Sequence, residues 1–284
     1  MSKKKIISLC LVVCLLATAI GGTLAYFTDT AKDENTMTMG KVDISQHEYQ
    51  RVQNADGTYP TASIDSQNSY VLEAFDQDKM LLPCTEINAN GQPYNFGAGN
   101  WDATATVRMT QVGSYGGMTV FESPNALDKF VVVKNEGNTG AYVRTIVAIE
   151  AGSTDGSLIR TSYHSTWDAH ERGIMSINGT KYDVIEFVYK GAELSTGNFR
   201  HQNGVLSANE MTYPSLSQVY MVATATKEDA TSLDGNNNSK LDILVLSQAV
   251  QADGWEAANG KTVAQTALDT AFGEVNATNI DNWF

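Results

Sequence analysis

Cysteine is almost absent from this chain of 284 residues, which contains only three. Cys10 and Cys14 lie in an apolar N-terminal segment, so that Cys84 alone remains for a folded domain. A single cysteine forms no internal disulfide, which excludes the small disulfide-stapled scaffolds common among exported proteins. The fold must therefore depend on a hydrophobic core.

Basic residues are also scarce, with 19 Lys and Arg against 32 Asp and Glu, a net charge of −13. Three of the 19 lie in the first 25 residues, which leaves 16 against 32, a net charge of −16, for the remainder. Proteins that bind nucleic acid need a basic surface to neutralise phosphates. The composition therefore predicts no nucleic acid partner and argues against adhesion to anionic lipid.

The common catalytic motifs are missing as well: the chain has no His-Glu-x-x-His, no Gly-x-Ser-x-Gly and no glycine-rich phosphate loop. His164 and His170 are the only two of the four histidines that lie close together, beside Glu171. Their spacing fits neither one face of a helix nor alternate positions of a strand, so we expect a polar loop rather than a zinc site. The sequence thus predicts no enzyme, no catalytic residue and no cofactor.

The first 25 residues have the three-part organisation of an export signal. A positive start at Lys3 to Lys5 precedes an apolar run from Ile6 to Ile20 and a small-residue exit from Gly21 to Ala25. This run is shorter than the roughly 20 residues of a membrane-spanning helix. We therefore expect residues 1–25 to be a cleavable signal peptide, with a retained membrane anchor as the alternative. The residues at the expected cleavage point are Thr23, Ala25 and Tyr26.

This signal predicts a secreted protein, located in the extracellular matrix or on the cell surface. Contact with a membrane is expected only through the uncleaved signal. The 259 residues that follow are enough for one large domain, which we place at 26–284.

Patterns of β-strands dominate this domain. Phe130 to Lys134 is a β-branched run, and a turn-rich connection separates it from a second strand pattern at Ala141 to Glu150. Asn178-Gly179 between two apolar alternations is a strong hairpin signal, because both residues accept positive φ. Thr262 to Phe272 has a helical apolar stripe that Gly273 can end. The sequence predicts an all-β fold, a jelly-roll-like antiparallel β-sandwich with a short C-terminal helix.

One loop carries oxygen-bearing side chains at alternate positions, as calcium loops do: Asp234, Asn236 and Asn238. The twelfth position of this loop is Val245, where an EF-hand requires a bidentate Glu, and the glycine falls at the second position instead of the sixth. We therefore expect an Asn- and Gly-rich turn and no metal site, with these three residues as the alternative ligands.

Four segments resemble one known family. Gly21 to Asp29 and Asn35 to Ile44 are similar to the start of the TasA/camelysin family, exported proteins of Gram-positive bacteria that a SipW-type signal peptidase processes. Val133 to Arg144 resembles the family's Lys-Asn-x-Gly … Ala-Tyr-Val-Arg hairpin, and Ser247 to Ala252 resembles its closing strand. The segments at about 50–125 and 151–215 match nothing in the family and are expected to be insertions.

The resemblance implies a secreted structural protein of the bacterial surface or biofilm matrix. A fibre-type subunit of this kind donates its N-terminal strand to the sheet of the next subunit and so self-associates into filaments. Thr28 to Asn35 is then expected to be a flexible linker. The residues expected to form the donated strand are Asn35, Thr36, Met37, Thr38, Met39, Gly40, Lys41, Val42, Asp43 and Ile44. The other expected partner is the SipW-type peptidase, during export.

Two other functions remain open at this point. A monomeric surface adhesin or binding module could use the two insertions and the scattered Tyr and Trp residues. A metalloprotease, an activity described for some camelysin relatives, is disfavoured because the zinc-protease motif is absent. The apolar end Trp283-Phe284 either docks onto the domain or is donated to a neighbour.

Overall fold

The computed structural model describes the following residues: 28–32, 42–54, 61–64, 67–70, 72–76, 79, 81–83, 105–107, 118–120, 125–193, 199–200 and 202–284. The expected signal peptide, with Thr23, Ala25 and Tyr26, lies outside these residues, and so does the 35–41 part of the expected donated strand.

Sixteen strands are found within these ranges. In chain order they are β1 (Thr28–Lys32), β2 (Ile44–Arg51), β3 (Thr61–Ile64), β4 (Gln67–Tyr70), β5 (Leu72–Ala74), β6 (Ala105–Val107), β7 (Met118–Val120), β8 (Leu127–Asn135), β9 (Ala141–Glu150), β10 (Ile159–Ser162), β11 (Trp167–Ile177), β12 (Thr180–Tyr189), β13 (Ala192–Glu193), β14 (Phe199–Arg200), β15 (Leu216–Met221) and β16 (Ile243–Gln251).

Two five-stranded antiparallel sheets form the body of the protein. Sheet 1 has the strand order β1-β16-β9-β12-β11, and sheet 2 has the order β10-β15-β8-β2-β5. Three two-stranded ribbons, β3-β4, β6-β7 and β13-β14, complete the described strands. The predicted all-β antiparallel sandwich is confirmed. Residues 151–215, expected as an insertion, contribute β10, β11 and β12 to the two main sheets.

Three short α-helices lie in the described ranges, α1 (Lys227–Leu233), α2 (Val263–Phe272) and α3 (Ala277–Trp283), together with a 3-10 turn at Gln202–Gly204. Helix α2 is the predicted C-terminal helix. It begins with a capping box, in which Thr262 accepts from the backbone N–H of Gln265, and it ends at Gly273 with φ 91°. Helices α1 and α3 are not predicted by the sequence pattern, because each has only seven residues and too few turns for a helical stripe.

The hairpin between β11 and β12 is the local feature that the sequence predicted best. Asn178 and Gly179 have φ of 50° and 86°, the paired positive values of a type I′ turn. The hairpin places β11 at one edge of sheet 1, with a bulge between Glu171 and Gly173. Bulges and charged residues protect such edges from pairing with other chains.

A hydrophobic core fills the space between the two sheets. Strand β9, at the centre of sheet 1, is buried along its whole length. Its residues Val143 and Val147 face the partners from sheet 2, among them Val131 and Leu216. Trp167 closes the core, with its ring 4.9 Å from that of Tyr189 and its indole N–H donating to the carbonyl of Tyr213.

A third layer covers the opposite face of sheet 1. Alternate residues of β9, β12 and β16 form two apolar clusters there, one with Leu268 of α2 and one with Ile280 of α3. Sheet 1 is therefore buried on both faces, between sheet 2 and the C-terminal helices.

Within the part of the chain that the structure describes, no helix is both long enough and apolar enough to cross a membrane.

Candidate functional site

The N-terminal strand β1 forms the edge of sheet 1 opposite β11. It pairs antiparallel with β16, and the pairs run from Thr28 with Val250 to Lys32 with Leu246. The sequence predicted a flexible, polar linker from Thr28 to Asn35, and this prediction was wrong for Thr28–Lys32, which form a strand. The strand forms because β16 offers a row of backbone N–H and C=O groups that a polar segment can also satisfy.

A connection of eleven residues, 33–43, joins β1 to β2 in the other sheet. A fully extended chain of this length spans roughly 36–40 Å. This length is an upper limit on the distance between the end of β1 and the start of β2.

The end of the expected donated strand lies in the core of its own domain. Val42 and Ile44 are fully buried, and Ile44 opens β2 opposite Asn135 of β8. The carbonyl of Asp43 accepts hydrogen bonds from the backbone N–H groups of Glu136 and Gly137. These three residues anchor the chain in sheet 2, whereas Thr28–Lys32 occupies the sheet edge.

A polar chain of side chains connects the two sheets beneath strand β16. The hydroxyls of Thr145 and Ser247 are 3.1 Å apart, and Ser247 donates to the side-chain oxygen of Gln46 at 2.7 Å. All three residues are buried and are hydrogen-bonded within this chain. Strand β16 is thus held on β9 and on sheet 2 by contacts that do not involve β1.

The C-terminal end of the domain is attached to the same sheet by a buried charged cluster. Arg144 of β9 is fully buried and donates to Glu186 at 3.0 Å and to Asp269 of α2 at 2.9 Å. It also donates to Gln248 at 2.7 Å and to the carbonyl of Gly273 at 2.8 Å. Each of the three guanidinium nitrogens of Arg144 therefore donates at least one hydrogen bond.

Two further cations extend this cluster. Arg172 pairs with Glu186, and Lys261 pairs with Asp269 at 2.8 Å and with Glu274. Burial lowers the pKa of Arg144, while the nearby carboxylates of Glu186 and Asp269 raise it. The carboxylates thus offset part of the cost of burying the guanidinium.

The apolar end of the chain docks onto its own domain. The ring of Trp283 lies 5.1 Å from the guanidinium carbon of Arg144. Trp283 and Phe284 pack on the apolar cluster that contains Ile280. Of the two alternatives for Trp283-Phe284, the structure has docking.

The Asn-rich loop brings Asp234, Asn236 and Asn238 together. The carboxylate of Asp234 accepts from the backbone N–H groups of Asn238 and Ser239, at 2.9 and 2.8 Å. The side-chain oxygens of Asn236 and Asn238 also accept backbone N–H groups of this loop, at 3.0 and 2.7 Å. The arrangement is a hydrogen-bonded turn, as the sequence analysis expected.

The two histidines considered as zinc ligands, His164 and His170, have different surroundings. His170 is in strand β11, not in a loop as expected, and its Nε2 lies 2.7 Å from the amide nitrogen of Gln265. His164 precedes β11 and stacks on Tyr213 at 4.0 Å. Burial lowers the pKa of His164 to about 4. Across the described ranges, no group of three or more His, Cys, Asp or Glu side chains is placed to hold a metal ion.

The charged cluster at Arg144 was missed at the sequence level, although one signal was present. Arg144 interrupts an otherwise apolar run from Tyr142 to Ile149, broken besides it only by Thr145. A charge within a fully buried strand requires a partner. Its partners are 42 and 125 residues away, so their identity was beyond local pattern analysis.

Comparison of the chain with protein-family models, with curated proteins and with solved structures finds no match.

Proposed function

We propose that this protein is a secreted structural subunit of the bacterial surface or matrix, which assembles into filaments by exchange of its N-terminal strand. The observation that carries the proposal is the position of β1, which pairs with β16 at the edge of sheet 1 and has an eleven-residue connection to β2. The resemblance to the TasA/camelysin family supports the same assignment.

Exchange of β1 changes little in the contacts of each subunit. The backbone hydrogen bonds that β1 makes with its own β16 are the same bonds that it would make with the β16 of a neighbour. The balance therefore depends on protein concentration and on the strain in the connection. Because donation from one copy to the next does not close on itself, it produces filaments.

Export would control this exchange. Strand β1 begins at Thr28, two residues beyond the expected cleavage point that follows Ala25. An uncleaved signal would hold β1 at the membrane and restrict its reach. Cleavage by a SipW-type peptidase would free the strand to pair with another subunit.

A disulfide that locks β1 onto its own β16 tests the proposal. Asp29 and Ala249 lie directly opposite each other, a pairing in which Cα atoms are about 4.5–5.5 Å apart and within disulfide range. We expect mature Asp29→Cys/Ala249→Cys, in a Cys84→Ser background, to remain monomeric when oxidised and to form filaments after reduction. Electron microscopy and light scattering would measure both states.

The reduced form of the same variant is the matched control, because it has the same composition and fold. Filaments of equal length in the oxidised and reduced states would refute strand exchange. This test is sharper than deletion of residues 26–44, which would also remove Val42 and Ile44 from the core.

A further inference from the structure

A cavity of about 270 Å³ opens at one end of sheet 1, beside the end of α3. Its walls include Asn178 of the hairpin turn, Thr180 and Tyr182 of β12, Leu244 of β16 and Phe284. This volume lies just below the roughly 300–1,000 Å³ of typical ligand pockets, so the cavity can hold only a small molecule or one unit of a larger one.

Tyr182 is one of the residues that line this cavity. The residue is 5% exposed, and no hydrogen bond joins its hydroxyl to another described residue. The hydroxyl is not among the buried polar atoms without a partner, so it is accessible from the cavity. A ligand atom there can replace water as its hydrogen-bond partner.

The charges around Tyr182 define which ligands fit. Burial, with the nearby carboxylates of Asp242 and Glu150, raises the pKa of Tyr182 to about 12, so that its hydroxyl stays protonated at physiological pH. The same carboxylates disfavour an anion. Glu150 accepts three backbone N–H groups, and Asp242 accepts the side-chain amides of Asn236 and Asn238. These carboxylates therefore need no cation, and the site favours a neutral ligand.

We propose that this cavity binds one neutral sugar residue, as the end or a branch of a glycan. A sugar ring has apolar C–H faces and a rim of hydroxyls. The apolar side chains of Ile177, Leu244 and Phe284 can contact such a face, while Asn178, Thr180 and Tyr182 offer polar groups for the rim. The inference is argued from residues of the hairpin, β12, β16 and the C-terminus, and it does not depend on strand exchange.

Binding is tested on the mature protein with the methyl glycosides of glucose, galactose and N-acetylglucosamine, by saturation-transfer NMR and titration. We expect at least one of them to bind the wild type. Tyr182→Phe should weaken that binding about fivefold, the effect of one lost hydrogen bond. Tyr163→Phe is the matched control, because Tyr163 is 45% exposed and lies before β11, away from the cavity; it should leave binding unchanged.

Thermal unfolding separates a binding role from a structural one. Because the Tyr182 hydroxyl makes no hydrogen bond with another described residue, Tyr182→Phe should not lower the melting temperature in the absence of sugar. Saturating sugar should raise the melting temperature of the wild type more than that of the variant. The proposal is overturned if none of the three glycosides binds, or if Tyr182→Phe binds them as well as the wild type does.

Discussion

The two ends of the domain are attached to the same sheet by different physical means. The N-terminal strand β1 adds to the edge of sheet 1 through backbone pairing with β16. The C-terminal helices cover the face of that sheet through buried apolar side chains and the ion pairs of Arg144. Both attachments converge on β16, where Leu246 and Val250 lie opposite β1 and also support the helices.

The difference indicates which end can leave. Backbone pairing is independent of side-chain identity, so another copy of β1 can replace the first without loss of specific contacts. A buried arginine with fixed partners has no such substitute, since any opening of α2 removes Asp269 and the carbonyl of Gly273 from its buried guanidinium. We therefore expect the N-terminal end to exchange and the C-terminal end to stay in place.

The largest effect is expected for Arg144→Ala, which breaks the C-terminal attachment. It leaves Glu186 buried with Arg172 as its remaining cationic partner, and loss of one member of a buried ion pair costs about 3–5 kcal/mol. Chemical denaturation should show this loss of unfolding free energy. The matched control is Lys190→Ala, which removes an exposed ion pair with Asp168 and should cost about 0–1 kcal/mol. Equal losses in the two variants would contradict the comparison.

The next effect concerns the sandwich body that both ends share. The pKa of His164 is about 4 when folded and 6.5 ordinarily, so between these values the unfolded state binds a proton that the folded state does not. The free energy of unfolding is therefore highest above pH 6.5 with respect to this group, and it decreases by about 3 kcal/mol as the pH falls to 4. Unfolding measured across this range should show a shallower pH dependence for His164→Phe.

This pH dependence should be unaffected by strand β1. His164 stacks on Tyr213, which lies just before β15 of sheet 2. Neither residue belongs to the N-terminal strand or to the C-terminal helices. The difference between wild type and His164→Phe should therefore be the same in a chain that lacks residues 26–32. If this difference disappears in the shortened chain, β1 contributes to the stability of the sandwich body. That result would weaken the contrast between the two ends.

The smallest effect is expected from deletion of residues 26–32, which removes β1 and leaves Val42 and Ile44 in place. Each backbone hydrogen bond contributes about 0.5–1.5 kcal/mol net. Ordering each residue costs about 1–2 kcal/mol, which offsets that gain. The free energy of unfolding of the monomer, measured by chemical denaturation, should therefore change by less than about 1 kcal/mol. Filament formation should be abolished. A loss as large as that of Arg144→Ala would show that the two ends are equally fixed.

Local features of this protein could be predicted from its sequence because their causes lie within a few residues. Asn178-Gly179 specifies its turn through the φ values that these residues accept, and Thr262 and Gln265 cap α2 three residues apart. The strand patterns at 130–134 and 141–150 predicted β8 and β9, and with them the sandwich. Alternation and turn chemistry were sufficient for the fold class.

The candidate sites depend on contacts that no local pattern contains. Strand β1 is polar and forms only because β16, more than 200 residues later, presents an open edge. Arg144 finds Asp269 across 125 residues, and Tyr182 meets Leu244 and Phe284 only when three separate segments pack together. The sequence by itself determined an all-β domain with one capped helix. Only the tertiary structure decided which edge is open, which charge is buried and which hydroxyl faces a cavity, because each depends on residues that folding alone brings into contact.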